Sequence, residues 1–266
     1  MKKKTAPASS RGKRATADAE LLAQLEAAGD PARAAHALRY FRTGPGEYGE
    51  GDRFLGLTTP IMKDLVKQFR GRVDLGGCRR LLASPWHEAR TAAVILLLHE
   101  AELAAKAGDI PRLTAIETFY DAHLDRVNNW DLVDISAPGL MAAVWGGRGD
   151  KPAVIRKRLD AWADSGYLWR ERAAMVATLA LIRRGELGET FRLAARFRDH
   201  SHDLIHKAIG WMLREAGRRD REALRAFLAK WTPELPRTAL RYAIERMTPE
   251  ERGHWLAVPS GRRRSR

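Results

Sequence analysis

The sequence predicts an all-α protein, and three features of its 266 residues support this prediction. Apolar residues recur every three to four positions from Ala17 onward, which is helical spacing, and no segment shows the strict alternation of a half-buried strand. Residues that end helices recur at short intervals along the chain. Hydrophobic residues make up 45% of the chain, which is ample material for a buried core.

The successive helices are placed by their apolar faces and by the residues that separate them. The first three faces are Leu21, Leu22 and Leu25, then Ala34, Ala35, Leu38 and Phe41, then Ile61, Leu65, Val66 and Phe69. Later separators include Gly71, Ser84-Pro85, Gly108, Gly146-Gly147, Gly166, Gly185, Gly217, Thr232-Pro233 and Thr248-Pro249. The result is about a dozen or more helices, in pairs of roughly 40 residues. This spacing favours a curved α-solenoid of HEAT-like helical pairs, although the sequence itself shows no repeat.

The helical pattern predicts one HEAT-like helical-repeat domain, residues 17–257. The distribution of charge predicts two flexible basic tails that flank it. The first tail, residues 1–16, is predicted to be disordered, and the second comprises residues 258–266. Ten of the fourteen net positive charges lie in these tails, so the body carries only +4. The tails would add non-specific affinity for polyanions or, alternatively, serve only solubility.

Composition and motifs also restrict the cellular compartment that we expect and the kinds of metal or disulfide chemistry available to the protein. No apolar run reaches the roughly 18 residues of a membrane-spanning helix, and the first residues do not form a signal peptide. We therefore expect a soluble, cytoplasmic protein. Cys78 is the single cysteine, which excludes an intrachain disulfide and a cysteine metal cluster. The His-Glu pairs at 87–88 and 99–100 lack the second histidine of H-E-x-x-H, and His202 and His206 lack a third ligand, so no metal site is expected.

The one long interruption of the helical pattern is the glycine-rich stretch 43–57. The glycines of residues 44–49 match G-x-G-x-x-G, but no strand precedes them and nearby acidic side chains would repel phosphate, so a nucleotide site is rejected. We predict an ordered loop that docks on the body of the protein through Phe54 and Leu55. Tyr40 lies just before the loop, and core packing is the expected role of such a residue taken alone.

The first candidate functional segment is residues 128–134, Asn-Asn-Trp-Asp-Leu-Val-Asp. An asparagine caps a helix here, so that Trp130 and Asp134 lie one turn apart on one face. Pro138 lacks the N–H that would bond the carbonyl of Asp134, and a kink is expected beside the carboxylate. The alternative is a capped helix with a core tryptophan and a solvated aspartate.

A second candidate is Arg172, in the single apolar helix predicted at 168–184. This segment is apolar almost all round, and Arg172 lies in line with its apolar residues. A guanidinium in such a position needs a carboxylate or phosphate partner, because an unpaired buried charge is costly. The partner belongs either to a functional site or to a purely structural ion pair.

A third candidate is a stripe on the helix at 204–218, where Trp211 lies among Lys207, Arg214 and Arg218. A tryptophan within a basic stripe suits packing on a sugar or base while the cations hold phosphates. The alternative is a tryptophan half-buried against the next helix, with ordinary surface charges around it.

Four segments, in this order on a helical chain, resemble the DNA alkylation repair family of HEAT-like glycosylases, the AlkD family. They are Arg-Phe-Leu-Gly-Leu (53–57), Asn-Trp-Asp-Leu-Val-Asp (129–134), Trp-Arg-Glu-Arg-Ala-Ala (169–174) and Ala-Ile-Gly-Trp-Met-Leu-Arg-Glu (208–215). The similarity covers roughly residues 20–255. The chain departs from the family in its longer acidic loop at 44–52 and in Asn129, which stands where an aromatic residue can occur.

The resemblance implies an α-solenoid whose concave, basic face holds double-stranded DNA. It implies excision of cationic alkylated purines, such as N3-methyladenine and N7-methylguanine, without a metal or other cofactor and without extruding the base into a pocket. Asp134 matches the family's catalytic carboxylate, Trp130 and Trp211 its cleft aromatics, Arg172 its cleft arginine and Tyr40 a cleft tyrosine. The protein would act as a monomer and associate with the nucleoid when bound to DNA.

We therefore predict a DNA glycosylase whose catalytic residues are Asp134, Trp130 and Arg172. The predicted DNA-binding residues are Trp211, Tyr40, Lys207, Arg214 and Arg218. The main alternative is a non-catalytic HEAT-like protein that binds DNA structure or serves as a scaffold, in which the same residues only pack. RNA binding through the basic tails is a third possibility, although the sequence contains no recognisable RNA-binding module.

Overall fold

The computed structural model describes residues 15–261, which form fifteen α-helices, one 3-10 turn and no β-strand. The helices are α1 (Ala17–Ala27), α2 (Pro31–Ala37), α3 (Thr59–Gln68), α4 (Leu75–Leu82), α5 (His87–Ala107), α6 (Ile110–Ala122), α7 (Trp130–Arg148), α8 (Pro152–Ala163), α9 (Leu168–Ala177), α10 (Leu179–Arg183), α11 (Gly188–Arg196), α12 (Asp203–Arg219), α13 (Arg221–Trp231), α14 (Arg237–Ala243) and α15 (Pro249–Ala257). None of these helices combines the length and the apolar composition needed to cross a membrane. Of the basic tails predicted at 1–16 and 258–266, residues 1–14 and 262–266, which hold all ten of their basic side chains, lie outside the described residues.

Five helices form a central row, α5, α7, α9, α12 and α14, in which each helix contacts the next. Other helices pack against this row: α4 and α6 on α5, α8 on α9, and α11 and α13 on α12. A central helix is thus covered on several sides, and in α7 the side chains of Leu132, Val133, Leu140 and Met141 are fully buried. The arrangement confirms the predicted all-α, solenoid-like fold.

The close packing of α12 on α14 depends on Gly210. A Cβ at this position would lie 2.4 Å from the Cβ of Tyr242 and 2.5 Å from the carbonyl oxygen of Ala239. Only glycine allows two helices to approach so closely. The approach brings Trp211, the residue after Gly210, towards the helix that carries Tyr242.

The long connection between α2 and α3 is an ordered loop held by a buried carboxylate. Glu88 of α5 accepts hydrogen bonds from the N–H groups of Leu55 at 2.8 Å, Gly56 at 2.7 Å and Leu57 at 3.3 Å. Gly56 has a φ of 81°, and a Cβ there would lie 2.3 Å from the carbonyl oxygen of Asp30. The glycine in Phe-Leu-Gly-Leu is therefore required both by its backbone conformation and by its contact with the start of α2.

In the glycine-rich part of this loop, backbone N–H groups donate hydrogen bonds to glutamate side chains of the same loop. The N–H of Gly44 donates to Glu47 at 2.9 Å, and the N–H of Gly46 donates to Glu50 at 2.8 Å. These two amides are already occupied by negative groups, which agrees with the rejection of a phosphate cradle.

The prediction for the second apolar face is wrong. Helix α2 ends at Ala37 and contains no buried residue, and the side chain of Leu38 is 47% exposed. Phe41 lies beyond the helix and stacks on Phe54, with ring centroids 4.8 Å apart. The aromatic residue that would have completed the helical face packs within the loop instead.

The apolar segment 168–184 forms two helices, not the single helix predicted. Helix α9 ends before Thr178, and α10 begins after it. The hydroxyl of Thr178 donates to the carbonyl of Met175 at 2.7 Å, and this local hydrogen bond competes with the regular helical pattern.

Candidate active site

A cavity of about 450 Å³ opens among α7, α9, α12, α14 and the loop before α3. Its lining comprises Tyr40, Tyr48, Trp130, Asp134, Arg172, Leu204, Lys207, Trp211, Arg214 and Tyr242. Seven of the eight residues predicted for the site belong to this lining, and the exception is Arg218. Folding therefore brings together residues that lie on three different central helices.

Asp134 and Arg172 form a bidentate ion pair between α7 and α9. The Arg172 Nε donates to Asp134 Oδ1 at 3.0 Å, and Nη2 donates to Oδ2 at 2.8 Å. The remaining Nη1 donates to the carbonyl oxygen of Leu204 on α12. The side chain of Arg172 is 5% exposed and that of Asp134 is 18% exposed, so the carboxylate is the more accessible partner of a pair that lines the cavity. Helix α7 begins at Trp130 and continues through Pro138, and Asp134 lies one helical turn after Trp130.

Opposing effects act on the pKa of Asp134. Burial raises the pKa, Arg172 lowers it, and the neighbouring Asp131 raises it, so that it lies above the ordinary value for an aspartate. Arg172 thus favours the ionised form of a carboxylate that has few water molecules to stabilise it. Such an anion interacts strongly with a positive charge that appears beside it.

The indole of Trp130 is fixed at the start of α7. Asn129 is the capping residue, and its side-chain oxygen accepts the N–H of Trp130 at 2.8 Å. The same side chain donates to Asp52 of the loop at 2.9 Å. Phe41 stacks on Trp130 with centroids 5.5 Å apart and planes inclined by 19°. One face of the indole is therefore taken by the loop, while Trp130 still lines the cavity.

The cations of the predicted stripe on α12 each have an acidic neighbour. The pairs are Lys207 with Asp203, Arg214 with Glu245 and Arg218 with Glu215. Lys207, Trp211 and Arg214 line the cavity. Arg218 instead lines two adjoining hollows of about 320 and 580 Å³. Ion pairs at a surface are weak, so a phosphate can replace these carboxylates as the partner of the cations.

Three tyrosines line the cavity, and only Tyr40 is a candidate from the sequence. Its side chain is 65% exposed, so core packing, the role expected of it alone, is wrong. Tyr48 comes from the glycine-rich loop and Tyr242 from α14. No motif or helical spacing points to these two residues, because they reach the cavity only through the packing of distant segments.

Next to the site, a buried network joins the loop, α5 and α7. His87 Nε2 lies 2.6 Å from Asp131 Oδ2, and its Nδ1 lies 3.3 Å from Asp52 Oδ2. Arg90 donates to the other oxygen of Asp52 at 2.6 Å. Burial disfavours the charged ring, but the hydrogen bonds to Asp131 and Asp52 outweigh it and raise the pKa of His87 to about 9. The sequence around His87 contains no signal for this network, because the partners of His87 are distant in sequence.

Because His87 is protonated in the folded protein, we expect the free energy of unfolding to depend on pH. Because its pKa is raised in the folded protein, the contribution of His87 is complete below about pH 6.5 and is lost as the pH rises towards 9. The free energy of unfolding should fall by on the order of 3 kcal/mol across this window. Urea unfolding at several pH values should show that His87→Gln is less stable at pH 6 and lacks this fall.

A matched control is His123→Gln, since the His123 ring bonds the carbonyl of Phe119 at 2.7 Å and no carboxylate. This variant should keep the pH dependence of the unchanged protein. An equal fall in stability with pH for His87→Gln would show that His87 is not the titrating group.

His202 and His206, which lacked a third ligand in the sequence, form hydrogen bonds with the backbone near the start of α12. His202 Nδ1 accepts the N–H of Leu204 at 3.1 Å, and His206 Nε2 lies 2.6 Å from the carbonyl oxygen of His200. Within residues 15–261, no three His, Cys, Asp or Glu side chains are grouped so as to hold a metal ion.

Comparison with known proteins gives a consistent result for the sequence and the fold. A family model described as DNA alkylation repair enzyme matches residues 21–247, a range that includes every residue of the cavity. No curated protein sequence matches the chain. The fold is similar to that of a predicted DNA alkylation repair enzyme from Enterococcus faecalis, with a TM-score of 0.64 and 16% identity over 83% of this chain and 97% of that one. Because the family model spans most of its length, the chain belongs to the DNA alkylation repair enzyme family.

Proposed function

We propose that this protein is a DNA glycosylase that releases cationic alkylated purines, of the N3-methyladenine and N7-methylguanine class, from double-stranded DNA. The observation that carries the proposal is the convergence of Asp134, Trp130 and Trp211 in one cavity of a DNA alkylation repair family member. The ion pair with Arg172 adds support, since it holds the carboxylate in one orientation.

The chemistry suits a carboxylate that acts without a general acid. An N3- or N7-alkylated purine already carries a positive charge, so its glycosidic bond can break without protonation of the leaving base. Positive charge then develops on the sugar, as in an oxocarbenium ion. Asp134 would stabilise that charge directly, or position the water that attacks the sugar. An undamaged purine would remain a poor substrate because it is a poor leaving group.

The aromatic and basic side chains would bind the substrate around the carboxylate. Trp130 and Trp211 offer π faces to a cationic sugar or base. Lys207 and Arg214 would hold phosphates beside the cavity, and Arg218 would extend phosphate binding along α12. Binding through such cations should weaken as the salt concentration rises.

Release of free bases from methylated duplex DNA tests the proposal. The purified protein should release N7-methylguanine and N3-methyladenine, measured by mass spectrometry, and should release no guanine or adenine from the unmethylated duplex. Binding to the same duplexes is measured in parallel. Binding without release of either methylated base would support the non-catalytic alternative instead.

A further inference from the structure

Asp52, the last residue of the acidic loop at 44–52, is buried beside the site although it does not line the cavity. Its side chain is only 1% exposed. Its carboxylate accepts hydrogen bonds from Arg90 of α5 at 2.6 Å and from Asn129 at the start of α7 at 2.9 Å. A buried carboxylate is stable only when it is paired and hydrogen-bonded, as this one is. Asp52 thus ties the loop to two helices.

Asn129 connects Asp52 to Trp130. The carboxamide of Asn129 is fully buried and has two different ends. Its nitrogen donates to Asp52, and its oxygen accepts the N–H of Trp130 at 2.8 Å. Because an ionised carboxylate only accepts hydrogen bonds, Asp52 requires the NH₂ end of the amide and leaves the oxygen for the helix. Asp52 therefore sets the orientation of the residue that caps α7.

The side chain of Trp130 is held by the same loop. Phe41, before the glycine-rich stretch, stacks on the indole with centroids 5.5 Å apart. Phe54, two residues after Asp52, stacks on Phe41 at 4.8 Å and on His87 at 4.9 Å. The loop thus constrains Trp130 in two ways, through the helix cap and through the stacked rings.

The residue after Trp130 belongs to the same network. Asp131 Oδ2 lies 2.6 Å from His87 Nε2, and Nδ1 of the same ring lies 3.3 Å from Asp52. Both chain neighbours of Trp130 are therefore linked to Asp52. The acidic loop and Asn129 are also the two departures of this chain from the family pattern, and the hydrogen bond between Asp52 and Asn129 joins them.

We infer that Asp52 is a positioning residue of the site, which acts through Asn129 to place the indole of Trp130 beside Asp134. The inference rests on the proposed function, in which Trp130 offers a π face to the positive charge that develops on the sugar. The attraction between a cation and a ring requires the cation to lie over the face of the ring at short distance. A misplacement of about 1 Å in a site can cost on the order of 100-fold in rate.

Two variants remove the hydrogen bond between Asp52 and Asn129 from opposite sides. Asp52→Asn removes the carboxylate, while Asn129→Ser removes the donor and keeps a residue that caps helices well. Each should slow single-turnover release of N7-methylguanine at saturating enzyme by on the order of 100-fold, with little change in affinity for the duplex. The double variant should be no slower than the slower single variant, because both changes break one contact. Additive losses would show that Asp52 does not act through Asn129.

The position of Trp130 can be measured independently of the reaction by fluorine NMR of protein labelled with fluorotryptophan. The signal of Trp130 is identified by its absence from the spectrum of Trp130→Phe. It should shift or broaden in Asp52→Asn and in Asn129→Ser, because the indole no longer keeps its place against Phe41. A loss of stability alone would lower the fraction of folded protein and leave the signal of the folded form in place.

Asp18→Asn is the matched control, since Asp18 has an 8% exposed side chain, pairs with Arg80 at 2.6 Å and does not line the cavity. This variant should keep both the release rate and the Trp130 signal. An unchanged Trp130 signal or an unchanged release rate in the folded Asp52 and Asn129 variants would overturn the inference and leave the glycosylase proposal intact. If the unchanged protein releases neither methylated base and the Trp130 signal still moves, the glycosylase proposal fails while Asp52 remains the residue that positions Trp130.

Discussion

Replacing Asp134 by Asn is expected to reduce release of N7-methylguanine by about 100- to 1,000-fold, the effect of removing one electrostatic group from a preorganised site. Asparagine has nearly the same shape as aspartate but no charge. It also leaves the Arg172 guanidinium without the anion that it contacts through two hydrogen bonds, and this cation would repel the developing positive charge on the sugar. Single-turnover release at saturating enzyme measures the effect, and the affinity for the duplex should change little.

Loss of the buried pair also lowers stability, by about 3–5 kcal/mol for a pair of this kind, and the assay must separate the two effects. Glu117→Gln is the matched control. Glu117 has a 7% exposed side chain, pairs with Arg148 at 2.8 Å and does not line the cavity. This variant should lose stability and keep base release. Undiminished release by folded Asp134→Asn would contradict the proposed role of the carboxylate.

Replacing Arg172 by Gln is expected to shift the pH dependence of base release to higher pH. Burial raises the pKa of Asp134 and Arg172 lowers it, so removal of the cation leaves the raising effect of burial unopposed. A higher pKa means that a smaller fraction of Asp134 is ionised at a given pH, and release should fall on the acidic side first. The measurement is the rate of N7-methylguanine release as a function of pH, with the midpoint of the acidic limb as the readout.

Two further variants sharpen this comparison. Arg172→Lys keeps the positive charge but loses the paired hydrogen bonds, so its acidic limb should lie between those of the unchanged protein and Arg172→Gln. Arg170→Gln changes a neighbouring arginine of α9 that pairs with Asp121 at 2.8 Å and does not line the cavity. Its acidic limb should not move. An unshifted limb in Arg172→Gln would show that Arg172 does not control the ionisation of Asp134.

Predictions from the sequence succeeded best where the signal is local. The helical repeat of apolar residues predicted the helix at 204–218, which is α12 (Asp203–Arg219), because a helix of that kind must bury one face. The start of α7 was predictable for the same reason, since Asn129 and the residues after it form a capping signal within a few positions. The break at Thr178 was not predictable in this way, because it depends on which of two local hydrogen bonds prevails in the packed helix.

At the site, too, local features were predictable from the sequence and contacts between distant residues were not. The need of Arg172 for an anionic partner followed from its position in an apolar segment, but the partner itself is 38 residues away on another helix. The sequence contains no signal for Tyr48 or Tyr242, and it presents His87 only as part of an incomplete metal-binding motif. Its partners Asp52 and Asp131 lie 35 and 44 residues away.

By itself, the sequence determined that the chain is helical and that four short segments resemble one repair family, and it offered carboxylate, arginine and aromatic side chains as the candidate groups of a site. Those properties depend on residue type and on spacing within a few helical turns. Only the tertiary structure decided that Asp134 is the anion held by Arg172 and that the acidic loop supplies Tyr48 to the wall of the cavity. These pairings depend on which helices pack together, and that is set by the burial of apolar surface over the whole chain and not by any single segment.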